Sequence, residues 1–150
     1  MRAVVQRVLH AGVSIGGVPF SGIEKGLLVL AGVARHDTGE ELCWMSRKIP
    51  NLRIFEDGEG KMNLSVRDIG GDILVVSQFT LYADASRGNR PGFSESAPSA
   101  VAREMFDRFV DMLRQEAGCP VQTGSFGADM QVSLLNDGPV TIILESRKQP

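Results

Sequence analysis

Few residues in this chain can carry enzyme chemistry unaided. It has two histidines, two cysteines, one tryptophan and one tyrosine in 150 residues. The histidines, His10 and His36, each follow a strand-like segment and sit near a turn, where a solvated side chain is ordinary. A Ser-His-Asp hydrolase is therefore poorly supported, and no G-x-S-x-G elbow is present. Phosphate-loop, dinucleotide-binding and H-E-x-x-H patterns are missing too. Cys43 and Cys119 lie far apart, outside any metal-ligand spacing, so neither a metal nor a cofactor is expected. Two lone thiols that read as small apolar residues suit a reducing compartment.

Long hydrophobic runs are missing as well. The longest, Gly26 to Ala34, has the length of a strand and falls far short of the roughly 20 residues of a membrane helix. Arg2 and Arg7 flank a short apolar patch with no cleavage-site pattern after it, which predicts a cytoplasmic protein with no membrane partner. Excess positive charge is absent: the net charge is -2 and the pI about 5.7. That excludes a protein that coats nucleic acid through many phosphate contacts. Recognition of one RNA end by a shaped pocket stays open.

The residues that are present describe an ordinary folded chain, 43% hydrophobic and 23% charged. No linker or repeat interrupts it, so residues 1–150 read as one domain. Met1 to Leu9 predicts a strand, and Gly16-Gly17 a two-residue hairpin. Gly26 to Val33 predicts a buried strand. Thr38-Gly-Glu-Glu41 has the form of a capping box, and the helix it opens stops at Pro50. Leu52 to Phe55 and Met62 to Leu64 predict short strands, and Asp72 to Leu81 a long one. A second helix starts near Pro98, with an apolar stripe of Val101, Met105, Phe109, Met112 and Leu113, and closes at Gly118. Val121 to Leu144 reads as two or three strands interrupted by Asn136-Asp-Gly-Pro139. The predicted class is α+β: a single domain of largely antiparallel β-sheets packed with two main helices.

Two segments stand out. Ser77-Gln78-Phe79-Thr80 places polar residues at the end of a strongly apolar strand. An ordinary strand terminus bonding to its own backbone reads the same way. So does a strand end that offers N–H groups and a hydroxyl to the oxyanion of an attacked ester. Asn136 to Pro139 consists entirely of turn formers, and a hairpin turn is its simplest reading. A cis bond before Pro139 is energetically accessible, and Gly138 would let the backbone approach a ligand closely. Arg87 and Arg90, in a polar loop, are either solvated charges or contacts to RNA phosphate.

Ser77-Gln-Phe-Thr-Leu81 and Asn136-Asp-Gly-Pro-Val-Thr141 resemble the two signature motifs of the D-aminoacyl-tRNA deacylases. Met1 to Val8, Arg87 to Pro91 with Phe93, and Gly124 to Met130 extend the resemblance over essentially the whole chain. The resemblance implies hydrolysis of the ester in D-aminoacyl-tRNA by a homodimer with active sites at the interface. Ser77, Gln78, Phe79 and Thr80 of one subunit would face a cis Gly138-Pro139 pair of the other. Asn136 belongs to the second motif, and Phe126 and Met130 match positions that hold the 3′-terminal adenosine. The Gly138 carbonyl would exclude an L side chain, while glycyl-tRNA, which has none, would be partly accepted. The competing readings are a noncatalytic binder of the tRNA 3′ end, a general esterase and a structural dimer module.

Overall fold

A computed structural model describes residues 1–146. The strands are β1 (Arg2–Ile15), β2 (Val18–Ile23), β3 (Gly26–Gly32), β4 (Phe55–Glu56), β5 (Met62–Leu64), β6 (Asp72–Ser77), β7 (Val121–Thr123) and β8 (Gln131–Glu145). The helix α1 (Gly39–Lys48) follows β3, and α2 (Ser99–Ala117) precedes β7. Single 3-10 turns occupy Ile49–Asn51 and Phe79–Tyr82.

Local chemistry accounts for several of these elements. Gly16 and Gly17, at φ 58° and 78°, supply the left-handed pair that a tight β1–β2 hairpin demands. The Thr38 capping box forms: its hydroxyl accepts from the Glu40 N–H, and the Glu41 carboxylate accepts from the Thr38 N–H. Gly118 closes α2 in the left-handed conformation at φ 63°.

The sheet is mixed, where a largely antiparallel one was expected. Its strand path is β2-β1-β3-β6-β7, with β8 on the other edge of β1. The β1 pairings are antiparallel, but β3–β6 and β6–β7 are parallel. Each parallel pair is joined by a crossover, the first containing α1 and the second α2, which returns the chain in its original direction. The sheet also curls. The Ser21 hydroxyl of β2 donates to the Thr123 carbonyl of β7 at 2.7 Å, so the two ends of the path meet and the sheet nearly closes into a barrel.

That curl creates two cores. Leu27, Val29, Ile73 and Val75 face the helices and pack with Leu42, Met45, Phe106 and Phe109. Leu28, Leu74 and Val76 face the inside of the curl and meet Val8, Val13 and Ile23. Strands buried on both faces read as continuous apolar runs, which is why β3 and β6 are legible in the sequence.

Four local expectations need correction. The strand predicted for Asp72 to Leu81 ends at Ser77, because the backbone turns across the end of β3 at Gln78. A Cβ on Gly32 would sit 2.8 Å from the Gln78 carbonyl oxygen, so only glycine permits that crossing. The Leu52 to Phe55 strand shrinks to Phe55–Glu56. The buried stripe of α2 is Ala102, Phe106, Phe109, Val110, Leu113 and Ala117, while Val101 is half exposed. Phe109 and Leu113 are buried as expected and Met105 and Met112 pack partly buried against the core, so the error is Val101 at the start of the stripe and the omission of Ala102, Phe106, Val110 and Ala117. Lastly, Asn136 to Pro139 is no turn between strands, since β8 runs through it. Among the described residues no helix is long and apolar enough to cross a membrane.

Candidate active site

Strands β3, β6 and β7 run parallel, so their C-terminal ends share one edge of the sheet. Ser77 closes β6 opposite Ala31, and the Gln78 N–H donates to the Ala31 carbonyl at 2.8 Å. The chain then makes the 3-10 turn Phe79–Tyr82. Ser77 and Gln78 are half-buried, whereas Phe79 and Thr80 are exposed.

The carbonyls of this turn are engaged. Gln78 accepts from the Leu81 N–H at 3.3 Å and Thr80 from the Ala83 N–H at 3.0 Å. Phe79 accepts from the Ser96 hydroxyl at 3.0 Å, and Leu81 from the Arg2 guanidinium at 2.6 Å. The N–H groups of Phe79 and Thr80, at the start of the turn, have no acceptor inside it. The Thr80 hydroxyl accepts from the Gln78 side-chain amide. The Phe79 ring meets Phe93 edge-on, with centroids 5.1 Å apart. Arg2 also lies over the Tyr82 ring at 4.8 Å. Burial, reinforced by the nearby Asp37 carboxylate, raises the Tyr82 phenol well above its ordinary range.

The second segment is a bulge. Asn136 pairs with Val8 and Thr141 with Gln6, so Arg7 alone faces the excursion Asp137, Gly138, Pro139 and Val140. The Gly138–Pro139 peptide is cis, and Gly138 takes φ 140°. Both residues are exposed. The base of the bulge is held by two side chains. Asn136 Oδ1 accepts from the Val140 N–H at 2.9 Å. Arg7, only 6% exposed, donates through Nε to the Asp137 carbonyl at 2.9 Å and through Nη1 to the Ile54 carbonyl at 2.7 Å. The Asp137 carboxylate adds an ion pair at 3.5 Å.

Within one chain these two segments do not meet. The bulge faces Arg7, which pairs with Leu27, and Leu27 pairs with Ile73 at the start of β6. The 3-10 turn begins beyond Ser77 at the other end of β6. At about 3.3 Å per residue the two lie some 15 Å apart along the strands. Two surface clefts, of about 540 and 490 Å3, are lined by other residues.

Phe126 lies on the loop after β7 and is half-buried. Its ring packs on Phe106 at 5.9 Å, and the Arg103 guanidinium covers it at 4.9 Å. Met130, also half-buried, packs against the core inside the curl. The Gly124 N–H donates to Val75, so this loop leaves the same sheet edge as the Phe79 turn. Arg87 and Arg90 are exposed in a loop closed by the Asp84–Gly92 bridge.

The model of the family described as D-Tyr-tRNA(Tyr) deacylase matches residues 4–145. This chain belongs to that family. A D-aminoacyl-tRNA deacylase of Chlorobaculum parvum is 74% identical over 149 residues, covering 99% of this chain and 100% of that one. One from Thermotoga petrophila is 55% identical and covers 99% of each chain. Among solved structures, the c-Myc DNA Unwinding Element Binding Protein superposes with a TM-score of 0.92 at 46% identity, over 99% of this chain and 100% of that one. A probable eukaryotic D-amino acid tRNA deacylase shares the fold, at TM-score 0.80 and 20% identity, over 95% and 97%. Deacylases are hydrolases, and this chain is an enzyme of that class.

For a deacylase, Arg7 is the residue that sequence reasoning overlooked. A signal existed: Ala3, Val5 and Arg7 alternate onto one face of β1, so period-two spacing puts the guanidinium in the core. A buried arginine needs carbonyl partners, and the backbone of the bulge provides one of them.

Proposed function

We propose that this deacylase hydrolyses the ester joining a D-amino acid to the terminal ribose of tRNA, releasing free D-amino acid and tRNA. The observation that carries the reading is the pair of N–H groups on Phe79 and Thr80. In a trans peptide the carbonyl and N–H point in opposite directions. With the carbonyls of the turn engaged, both N–H groups are left for a ligand. Water attacks the ester carbonyl, and these donors receive the developing oxyanion, at about 3 kcal/mol per donor. Among the described residues, no histidine or carboxylate is hydrogen-bonded to Thr80. Its hydroxyl therefore positions the substrate, and the substrate's own 2′-OH assists proton transfer.

The separation of the two segments supports a homodimer whose active sites lie at the interface. A second copy in the opposite sense brings its bulge to the first copy's turn. Strand β8 suits such a contact: it is an edge strand that leaves Leu134, Leu135 and Ile143 exposed. The Gly138 carbonyl then fills the space an L side chain would need, and Phe126 and Met130 flank the terminal adenosine. Glycine has no side chain to exclude, so glycyl-tRNA is partly accepted. The place of action is the cytoplasm, where charged tRNA is found.

Purified protein, given D-tyrosyl-tRNA, L-tyrosyl-tRNA and glycyl-tRNA in parallel, should release amino acid fast, not at all and partly, respectively. Equal rates on the D and L forms would remove the chiral filter. No release from any of them, with tRNA still bound, would leave a noncatalytic binder of the tRNA 3′ end.

A further inference from the structure

The larger cleft, about 540 Å3, runs along α1 and lies outside both segments described above. Its lining includes Gly39, Cys43, Trp44, Arg47, Lys48 and Asn51. Trp44 is the only tryptophan in the chain, and the residue is 39% exposed on the helix surface. One turn on, the Lys48 ammonium lies 5.7 Å from the centre of its ring. From α2, Arg108 reaches Gly39 so closely that a Cβ there would be 3.0 Å from its Nη2. Arg47 is engaged by Glu116 at 3.5 Å. Among the described residues neither Lys48 nor Arg108 enters an ion pair, and Glu40 is the one carboxylate on the lining.

A half-exposed indole beside two cations that enter no ion pair, on a chain of net charge -2, is locally opposite to the molecule as a whole. An occupant that stacks a flat ring and carries negative charge at each step fits this chemistry, and a nucleic acid strand has both properties. Helix α2 connects the cleft with the residues proposed for the terminal adenosine. Arg103, which covers Phe126, precedes Arg108 by five residues of α2, about 7.5 Å along the axis and about 140° around it.

We infer that this cleft receives RNA from the acceptor end of the substrate tRNA. A base stacks on Trp44, and neighbouring phosphates lie on Lys48 and Arg108. The inference rests on the function proposed above for the identity of the RNA.

Trp44 is its own reporter. Titrating uncharged tRNA into the wild-type protein should quench tryptophan emission saturably, and less so as salt rises. In the double variant Lys48→Glu/Arg108→Glu, KM for D-tyrosyl-tRNA should rise about ten-fold with kcat unchanged. The slope of log(kcat/KM) against log[salt] should shrink by about 1.5, as expected for two lost phosphate contacts. Hydrolysis of D-tyrosyl-adenosine, which carries neither a phosphate nor a second base, should be unaffected. Unchanged emission at saturating tRNA, equal quenching by heparin, or a wild-type KM in the variant would overturn the inference. If the wild-type protein hydrolyses neither ester, the proposed function fails, and the uncharged-tRNA titration still decides the cleft.

Discussion

The turn at the end of β6 and the bulge in β8 are built by opposite means. The turn is exposed and tied down at its carbonyls by groups from outside, Ser96 and Arg2, leaving two N–H groups uncommitted. The bulge has an exposed tip on a locked base, where a buried arginine and an asparagine hold the backbone from within. A turn that must receive a transient charge needs free donors near solvent. A bulge that must exclude a side chain needs a rigid backbone, and rigidity comes from buried partners. Substitutions in the bulge should therefore cost stability first, and substitutions in the turn should cost rate alone.

The largest expected effect is at Arg7. Arg7→Ala strands the carbonyls of Asp137 and Ile54 and leaves a void in the core. Leaving each buried carbonyl without its donor costs about 1–3 kcal/mol, and the void adds to that. The midpoint of urea denaturation should fall accordingly, and D-aminoacyl-tRNA hydrolysis should be lost with it. A cost below about 1 kcal/mol would mean that the bulge holds itself.

Gly138→Ala comes next. Its φ of 140° is one that L side chains rarely adopt, and the added Cβ would lie 2.7 Å from Val140 Cγ2. Strain of this kind costs about 1–3 kcal/mol, readable as a drop in Tm. Activity on D-tyrosyl-tRNA should fall further than stability alone explains. An unshifted Tm would show that the bulge relaxes freely and is not rigid.

The smallest stability effect belongs to Thr80→Ala. The residue is exposed, so unfolding free energy should stay within about 0.5 kcal/mol. If Thr80 positions the substrate, kcat drops about ten-fold. A nucleophile would lose about ten-thousand-fold or more, and that outcome would assign Thr80 the covalent step.

How far each region could be read in advance follows from the range of the forces that shape it. Thr38 and Glu41 cap α1 through bonds three residues apart, and Gly16-Gly17 closes a hairpin within two residues. Such features are written in adjacent letters. The apolar runs of β3 and β6 were visible because burial on both faces removes alternation. Their parallel pairing was not, since direction depends on how long crossovers pack. The Asn136 to Pro139 segment has the composition of a turn, yet the residues before and after it pair with the same neighbour, β1, as one strand. Nothing near Arg7 in the chain names its partners, which lie 47 and 130 positions away.

From the letters alone came the elements, the capping and hairpin chemistry, the two signature segments and, through them, the family. Tertiary structure alone decided three further matters: the curl that gives the sheet a second core, the carbonyls that Arg7 meets beneath the bulge, and the distance that keeps the two segments apart in one chain. The reason is physical. Backbone hydrogen bonds and caps act over a few residues, whereas a buried charge or a strand register is set by whatever the folded chain places beside it.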